Sequence, residues 1–249
     1  MVPGEEIPIR FVTMKLMFKF FSRKSTLFCF SPLVMVITFT VEIILALYII
    51  VRYRMTKFGR TAALLLVLLA TFQVAEYLIC AGSPNALLWS RIGFVAITLL
   101  PLVGLYLVSQ LSHRTHFLKL GYVAAILYVI YFMFAPKAIT GAFCGGNYVI
   151  FNSSQVLYGF YGFYYFGFLM LGIWEALEKI SETRKSAVTR KILLWFIVGY
   201  LSFTLPMGVI FIISPDTRNA LASIMCGFAI IFALILALKI VPAYHSSKK

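Results

Sequence analysis

Acidic residues are scarce in this chain. Eight Asp and Glu stand against 22 Lys and Arg in 249 residues, and charged residues of both signs make up only 12%. A water-soluble domain carries about a quarter of its residues charged and stays near or below half apolar. With 62% hydrophobic residues, this chain has too little polar surface to cover itself in water, which excludes a soluble globular fold. The basic excess lies in short runs between apolar stretches and matches no nucleic-acid-binding motif, so nucleic acid is excluded as a partner. The four cysteines, Cys29, Cys80, Cys144 and Cys226, form no C-x-x-C pair and no Cys/His cluster, so no metal or redox motif is present. A Gly-rich nucleotide-binding motif and an internal repeat are also missing. No small-residue cleavage site follows the basic N-terminus, and a removed signal peptide is not expected. These absences lead us to expect no cofactor, no metal and no enzymatic activity.

What the chain does have is seven apolar runs. A bilayer core takes about 20 apolar residues as helix, and the runs 33–51, 62–81, 87–111, 118–135, 156–177, 192–213 and 220–241 qualify. The expected fold is an all-α polytopic bundle of about seven transmembrane helices. Residues 33–242 would form it, after a basic, partly amphipathic segment 1–32 and before a short tail 243–249. Pro101 and Pro206 fall inside runs and should kink their helices.

Lysine and arginine orient the bundle. The connections after the first, third, fifth and seventh runs hold fourteen: Arg52, Arg54, Lys57, Arg60, Arg114, Lys119, Lys179, Arg184, Lys185, Arg190, Lys191, Lys239, Lys248 and Lys249. The connections after the even runs hold three, Arg91, Lys137 and Arg218. The positive-inside rule then places the C-terminus in the cytoplasm and the N-terminus outside, in the plasma membrane. Arg10, Lys15, Lys19, Arg23 and Lys24 oppose this. Two readings reconcile them: an interfacial amphipathic helix that includes Phe11, Phe18 and Phe21, or a natural start at Met14 or Met17.

Acids inside the apolar runs are the first candidates for function, because a charge in lipid costs several kcal/mol. Glu42 stands about 13 Å from the outer end of the first helix. Glu76 lies near the outer end of the second, with Gln73 one turn away on the same face. A ligand, proton or ion site between the first three helices is one reading, and a polar clamp between helices is the other. Arg91 opens the third helix two residues after Trp89. It is placed either to pair with Glu76 or to reach the headgroups.

The stretch 158–168, YGFYGFYYFGF, places Tyr158, Tyr161, Tyr164 and Tyr165 among phenylalanines and glycines. It reads as an aromatic ligand pocket, or as an interfacial belt with glycines for close packing. Cys144 is positioned to bridge to Cys80 or to Cys29 in an oxidising compartment. Asn152 opens an N-glycosylation sequon. His113 and His116 share a turn with Arg114 and read as solvated, while Lys239 reads as a snorkelling anchor. His245 stands in AYHSSKK.

From the second run into the third the sequence reads AEYLICAGSPNALLWSRIGFVAITLLPLVGLYLVSQLS. With Glu76, Trp89, Arg91, Gly93 and Phe94 (in reversed order) and Pro101, this resembles the seven-transmembrane N-terminal sensor region of bacterial histidine kinases. The similarity runs more loosely over 33–242, through SETRKSAVTRKILLW and ALILALKIVP. The resemblance implies a membrane sensor or receptor-like input domain. Such a domain binds an external or membrane-dissolved signal and acts through a cytoplasmic partner such as a kinase. The chain departs from the family after residue 242. The phosphoacceptor and ATP-binding modules do not follow, so autophosphorylation is not expected. A small transporter or channel subunit with a polar path near Glu42, Gln73 and Glu76 is the rival reading, and a fragment or accessory subunit of a histidine kinase is a third. Expected partners are the lipid bilayer and a cytoplasmic signalling protein, with a homodimer also admitted.

Overall fold

A computed structural model describes residues 32–53, 56–144, 149–152, 155–182, 187–213 and 221–247. The N-terminal segment with its basic residues, its alternative starts and Cys29 lies outside the described residues.

Lipid cannot hydrogen-bond the backbone, so apolar runs of this length must satisfy it internally as helix. The helices are α1 (Pro32–Arg52), α2 (Lys57–Cys80), α3 (Ala86–Ser112), α4 (His116–Phe134), α5 (Gln155–Glu182), α6 (Ala187–Ile213) and α7 (Leu221–Ile235). α7 passes through a π-helical turn, Leu236–Ile240, into a last short helix, α8 (Val241–Ser246). Among the described residues, six helical stretches are long and apolar enough to cross a bilayer, and α5 is long enough at 28 residues. The protein is a polytopic membrane protein.

Several helices extend past their apolar runs because polar ends sit comfortably at the membrane surface. α2 starts at Lys57, where the Thr56 side chain accepts a hydrogen bond from the Gly59 N–H at 3.1 Å and caps the first turn. α3 ends on His113 in the left-handed region, φ 59°, a conformation that His tolerates better than most residues. Inside the helices, hydroxyls satisfy themselves locally. Thr38, Thr61, Ser90 and Thr98 each donate to a carbonyl one turn back.

α3 is the most buried of the spans and α4 the least. α3 packs against α2, α4 and α5, while α1 packs chiefly on α2, and α6 on α7. α4 turns Leu120, Val123, Leu127 and Phe134 outward, as a helix at the lipid boundary should. Without a hydrophobic force between helices in lipid, close approach must come from shape. At Gly104 a Cβ would run into the Tyr200 hydroxyl of α6, and at Gly199 into the Phe232 ring of α7. Both glycines let a bulky aromatic fill the interhelical space.

A small β-hairpin interrupts the all-helical pattern. Strands β1 (Gly141–Cys144) and β2 (Val149–Asn152) pair antiparallel, with Cys144 opposite Val149 and Gly141 opposite Asn152. The hairpin plugs one end of the bundle. Val149 and Phe151 are buried, and the Phe151 ring meets Phe94 edge-on at 4.9 Å and Phe72 at 6.2 Å. A Cys80–Cys144 disulfide ties β1 to the end of α2. Of the two bridges open to Cys144 from sequence, this is the one formed. Asn152 is exposed at the end of β2, and its carbonyl accepts from the Thr140 N–H and hydroxyl. Residues 153 and 154 of the sequon lie outside the described residues.

Candidate functional site

Glu42 of α1 and Glu76 of α2 are both withdrawn from the surface, 0% and 1% exposed. They lie close enough for their charges to act on each other. Further groups that act with them come from α7, a helix the sequence reading had not included in the site. Ser223 hydrogen-bonds to the Glu76 carboxyl, and Cys226, one turn further along the same face, feels the charge of both acids. The site therefore sits where the first, second and last helices meet. Gln73 is buried one turn below Glu76 on α2.

What distinguishes the pair is how little it is satisfied. Both Glu42 carboxyl oxygens lack a hydrogen-bond partner, as does Oε1 of Glu76. Among the described residues the ion pairs involve other groups. In particular, the Glu76–Arg91 pair considered from sequence does not form. Arg91 points across to α4 and donates from Nη1 to the Met133 carbonyl at 2.8 Å. There its charge meets the last turn of α4, where the helix dipole is negative. Trp89 packs half-buried against the core.

Ser223 does more than bond Glu76. Its Oγ also accepts the Val149 N–H of β2 at 3.4 Å. One serine thus joins the disulfide-tied hairpin to the buried carboxyl. From sequence neither Ser223 nor Cys226 was assigned to this site, for a serine and a cysteine in an apolar helix carry no signal by themselves.

The tyrosines of α5 split by face. Phe160 and Phe163 point outward, the latter 86% exposed, whereas Tyr161, Tyr164, Tyr165 and Phe168 are buried. Tyr161 lies 3.1 Å from the Thr98 hydroxyl, and Tyr164 donates to the Thr98 carbonyl at 2.6 Å. That carbonyl neighbours the one at Ile97, which Pro101 leaves without its helical donor. Tyr128 of α4 completes the cluster, 5.3 Å from Tyr161 and 4.9 Å from Tyr164 between ring centres. The side chain of Tyr158 lies outside the described ones.

Tyr165 instead lines a cavity of about 20 Å³, with Leu69, Tyr200, Met225, Cys226 and Phe232 among its other walls. This is room for about one water, far below the roughly 300–1,000 Å³ of an organic-ligand pocket. Cys226 borders both the cavity and the carboxyl pair.

No family model and no curated protein matches this chain. The functional reading therefore rests on the site.

At the other end of the bundle, the turn before α4 is not simply solvated. Arg114 pairs with Glu178 and Glu182 of α5, and Lys179 reaches Glu182 at 3.7 Å. The hydrogen bond to Glu178, followed by the charges of both glutamates, pushes the Arg114 guanidinium further up from its already high value. Partly exposed pairs of this kind contribute little to stability, but they mark where α5 and the α3–α4 turn meet. The last turns of the chain close on the same end: Tyr244 stacks on Phe58 at 4.1 Å, and His245 meets Tyr53 edge-on at 5.4 Å. Among the described residues, no group of three or more His, Cys, Asp or Glu stands together as a metal site.

Proposed function

We propose that this chain is a sensor or receptor-like protein of the plasma membrane. It takes up a signal at the Glu42–Glu76 site and passes a helix shift to a cytoplasmic partner such as a kinase. The observation that carries the reading is the carboxyl pair, three of whose four oxygens are buried without a hydrogen-bond partner. A polar clamp works by hydrogen bonds between helices, and Glu42 makes none. A buried acid kept without a partner in an apolar bundle calls for an occupant that supplies positive charge or a hydrogen-bond donor. The resemblance of the α2–α3 segment to histidine-kinase sensor regions supports the direction of signalling. The paired Arg114, Glu178 and Glu182 cluster at the basic end is the natural contact for the partner.

Orientation belongs to this reading. With fourteen basic residues in or beside the connections after the odd-numbered runs against three in those after the even-numbered ones, the hairpin faces out and the C-terminus in. A reporter fused after Lys249 should behave as cytoplasmic. An impermeant thiol reagent should label Cys144 in intact cells only after reduction of its bridge. A reporter active on the outer side would reverse the orientation.

The binding claim is tested by thermal-shift screening of the purified chain against small amines and inorganic cations. Occupancy at a hundred times Kd stabilises by about 2.7 kcal/mol. We expect at least one compound to raise the melting temperature of the parent and to lose that effect in Glu42→Gln and in Glu76→Gln. Hits that act equally on parent and both variants would remove the site from the reading. The rival, a transporter or channel, needs a continuous polar path, and no observation favours it over the sensor.

A further inference from the structure

We propose that the ligand of the Glu42–Glu76 site is a proton, and that Ser223 couples its loading to the seating of the hairpin. The inference rests on the sensor reading and names what the site senses.

Two buried carboxylates whose charges act on each other, out of water and without a cation, repel, and a proton on either one relieves the repulsion. The groups that face the pair offer no other relief. α1 contributes only Glu42 itself. α2 contributes Glu76 and the neutral Gln73. α7 presents the Ser223 hydroxyl and the Cys226 thiol, neither of them a cation. The cation of α3 nearest in sequence to this end, Arg91, is held by the Met133 carbonyl. From the hairpin, β2 offers the Val149 N–H, already given to Ser223. Cys80 and Cys144 are joined and do not titrate. A metal ion fits poorly, because it requires more donors than two acids and a hydroxyl supply. A proton needs only one lone pair.

The transfer is a simple exchange. Uptake forms one O–H bond on a carboxyl oxygen from a proton of the outer water, and release returns that proton. Glu76 stands four residues, ~6 Å, from the end of α2, directly under the hairpin. Loss of the proton leaves two charges in an apolar site and draws water and carboxyl toward that end of the bundle. Ser223 stands between Glu76 and Val149: it accepts from the Val149 N–H and has its own hydrogen for Glu76. Movement of Glu76 takes Ser223 with it and breaks the bond that seats β2. The loaded state is thus the closed one, with Val149 and Phe151 buried.

The test uses the full chain in lipid nanodiscs, with proton as the only ligand. Infrared difference spectra between low and high pH should show a protonated-carboxyl band in the parent that disappears as pH rises. With Glu175, a third buried acid, replaced by Gln in every sample, the band should be absent from the Glu42→Gln/Glu76→Gln double variant and present in Cys226→Ala. Hydrogen exchange of residues 138–144 and 149–152, corrected for the intrinsic pH dependence, should speed up at least tenfold over the same interval. In Ser223→Ala the band should still titrate while hairpin exchange no longer follows it. If the double variant fails to fold, Glu42→Gln carries the test, since Glu42 makes no hydrogen bond to lose. A band that survives in Glu42→Gln, or a hairpin whose exchange ignores pH in the parent, overturns the proposal. If the carboxyls do not titrate but amine or cation hits still depend on Glu42 and Glu76, the proton falls and the sensor reading stands. If both dependencies are missing, both fall.

Discussion

Replacing Cys80 and Cys144 together by serine should lower stability by about 2–4 kcal/mol, the range usual for a disulfide that closes a long loop. The bridge spans 64 residues of sequence, for which the chain-entropy estimate is close to 4 kcal/mol. The membrane reduces that figure. In the unfolded reference α3 and α4 remain inserted as helices, so the loop between the cysteines is never a free coil. The lower half of the range is therefore expected. The loss should concentrate in the hairpin, because Cys144 holds β1 against α2 while Val149 and Phe151 hold β2 in the bundle. Thermal melting of the oxidised parent, the parent with reductant, and the Cys80→Ser/Cys144→Ser variant checks this. The reduced parent and the variant should melt together, below the oxidised parent. Three coincident melting curves would show that the bridge does not restrain the fold.

The second large effect is expected at Phe94, which is 1% exposed and lies where three elements meet α3. Its ring centre is 4.8 Å from Phe132 of α4, 4.9 Å from Phe151 of the hairpin and 6.0 Å from Tyr161 of α5. In a water-soluble core, Phe→Ala costs about 3–5 kcal/mol, made up of a transfer term and a cavity term. Here the reference state is a helix in lipid, which solvates phenylalanine as well as the core does, so most of the transfer term vanishes. What remains is the lost packing and the aromatic pairs, each of which contributes about 0.5–1.5 kcal/mol. Phe94→Ala should therefore destabilise by about 2–3 kcal/mol. Phe163→Ala, at a lipid-facing position of α5, should change almost nothing. Unfolding of both variants in mixed detergent micelles provides the comparison. Equal midpoints would mean that Phe94 is not a hub.

The contrast between those two phenylalanines also shows why the aromatic stretch 158–168 was ambiguous as sequence. Phe160 and Phe163 turn outward while the tyrosines turn inward into a packed cluster, the adjoining cavity holds about one water, and Gly159, Gly162 and Gly167 stand in open space instead of at a close helix contact. Helical spacing alone does not say which face meets protein, because lipid and protein interior are equally apolar. The same degeneracy hid the site's third wall. Glu42 and Glu76 stood out by their charge in apolar runs, but nothing local marked Ser223 or Cys226, and the sequence neighbour α3 was the natural guess. α3 is adjacent to α2 as expected, yet Arg91 spends its charge on the end of α4. The hairpin was missed for another reason. Four-residue strands in a short connection carry little pattern, and their burial depends on a bundle end that only the assembled helices create.

By itself, the sequence determined that this protein spans a membrane with helices, about where they lie, and that Glu42 and Glu76 stand inside them; it did not single out Glu175, a third acid that the structure buries. Those properties follow from the solvent: lipid demands about 20 apolar residues per span and penalises every charge, and each demand can be read one segment at a time. Only the tertiary structure decided that the first and last helices meet at Glu42, Glu76 and Ser223, that Cys144 takes Cys80, and that a hairpin caps the site. Those contacts join residues far apart in the chain. Between helices that are apolar all round, they are selected by shape and by hydrogen bonds, neither of which leaves a periodic trace in the sequence.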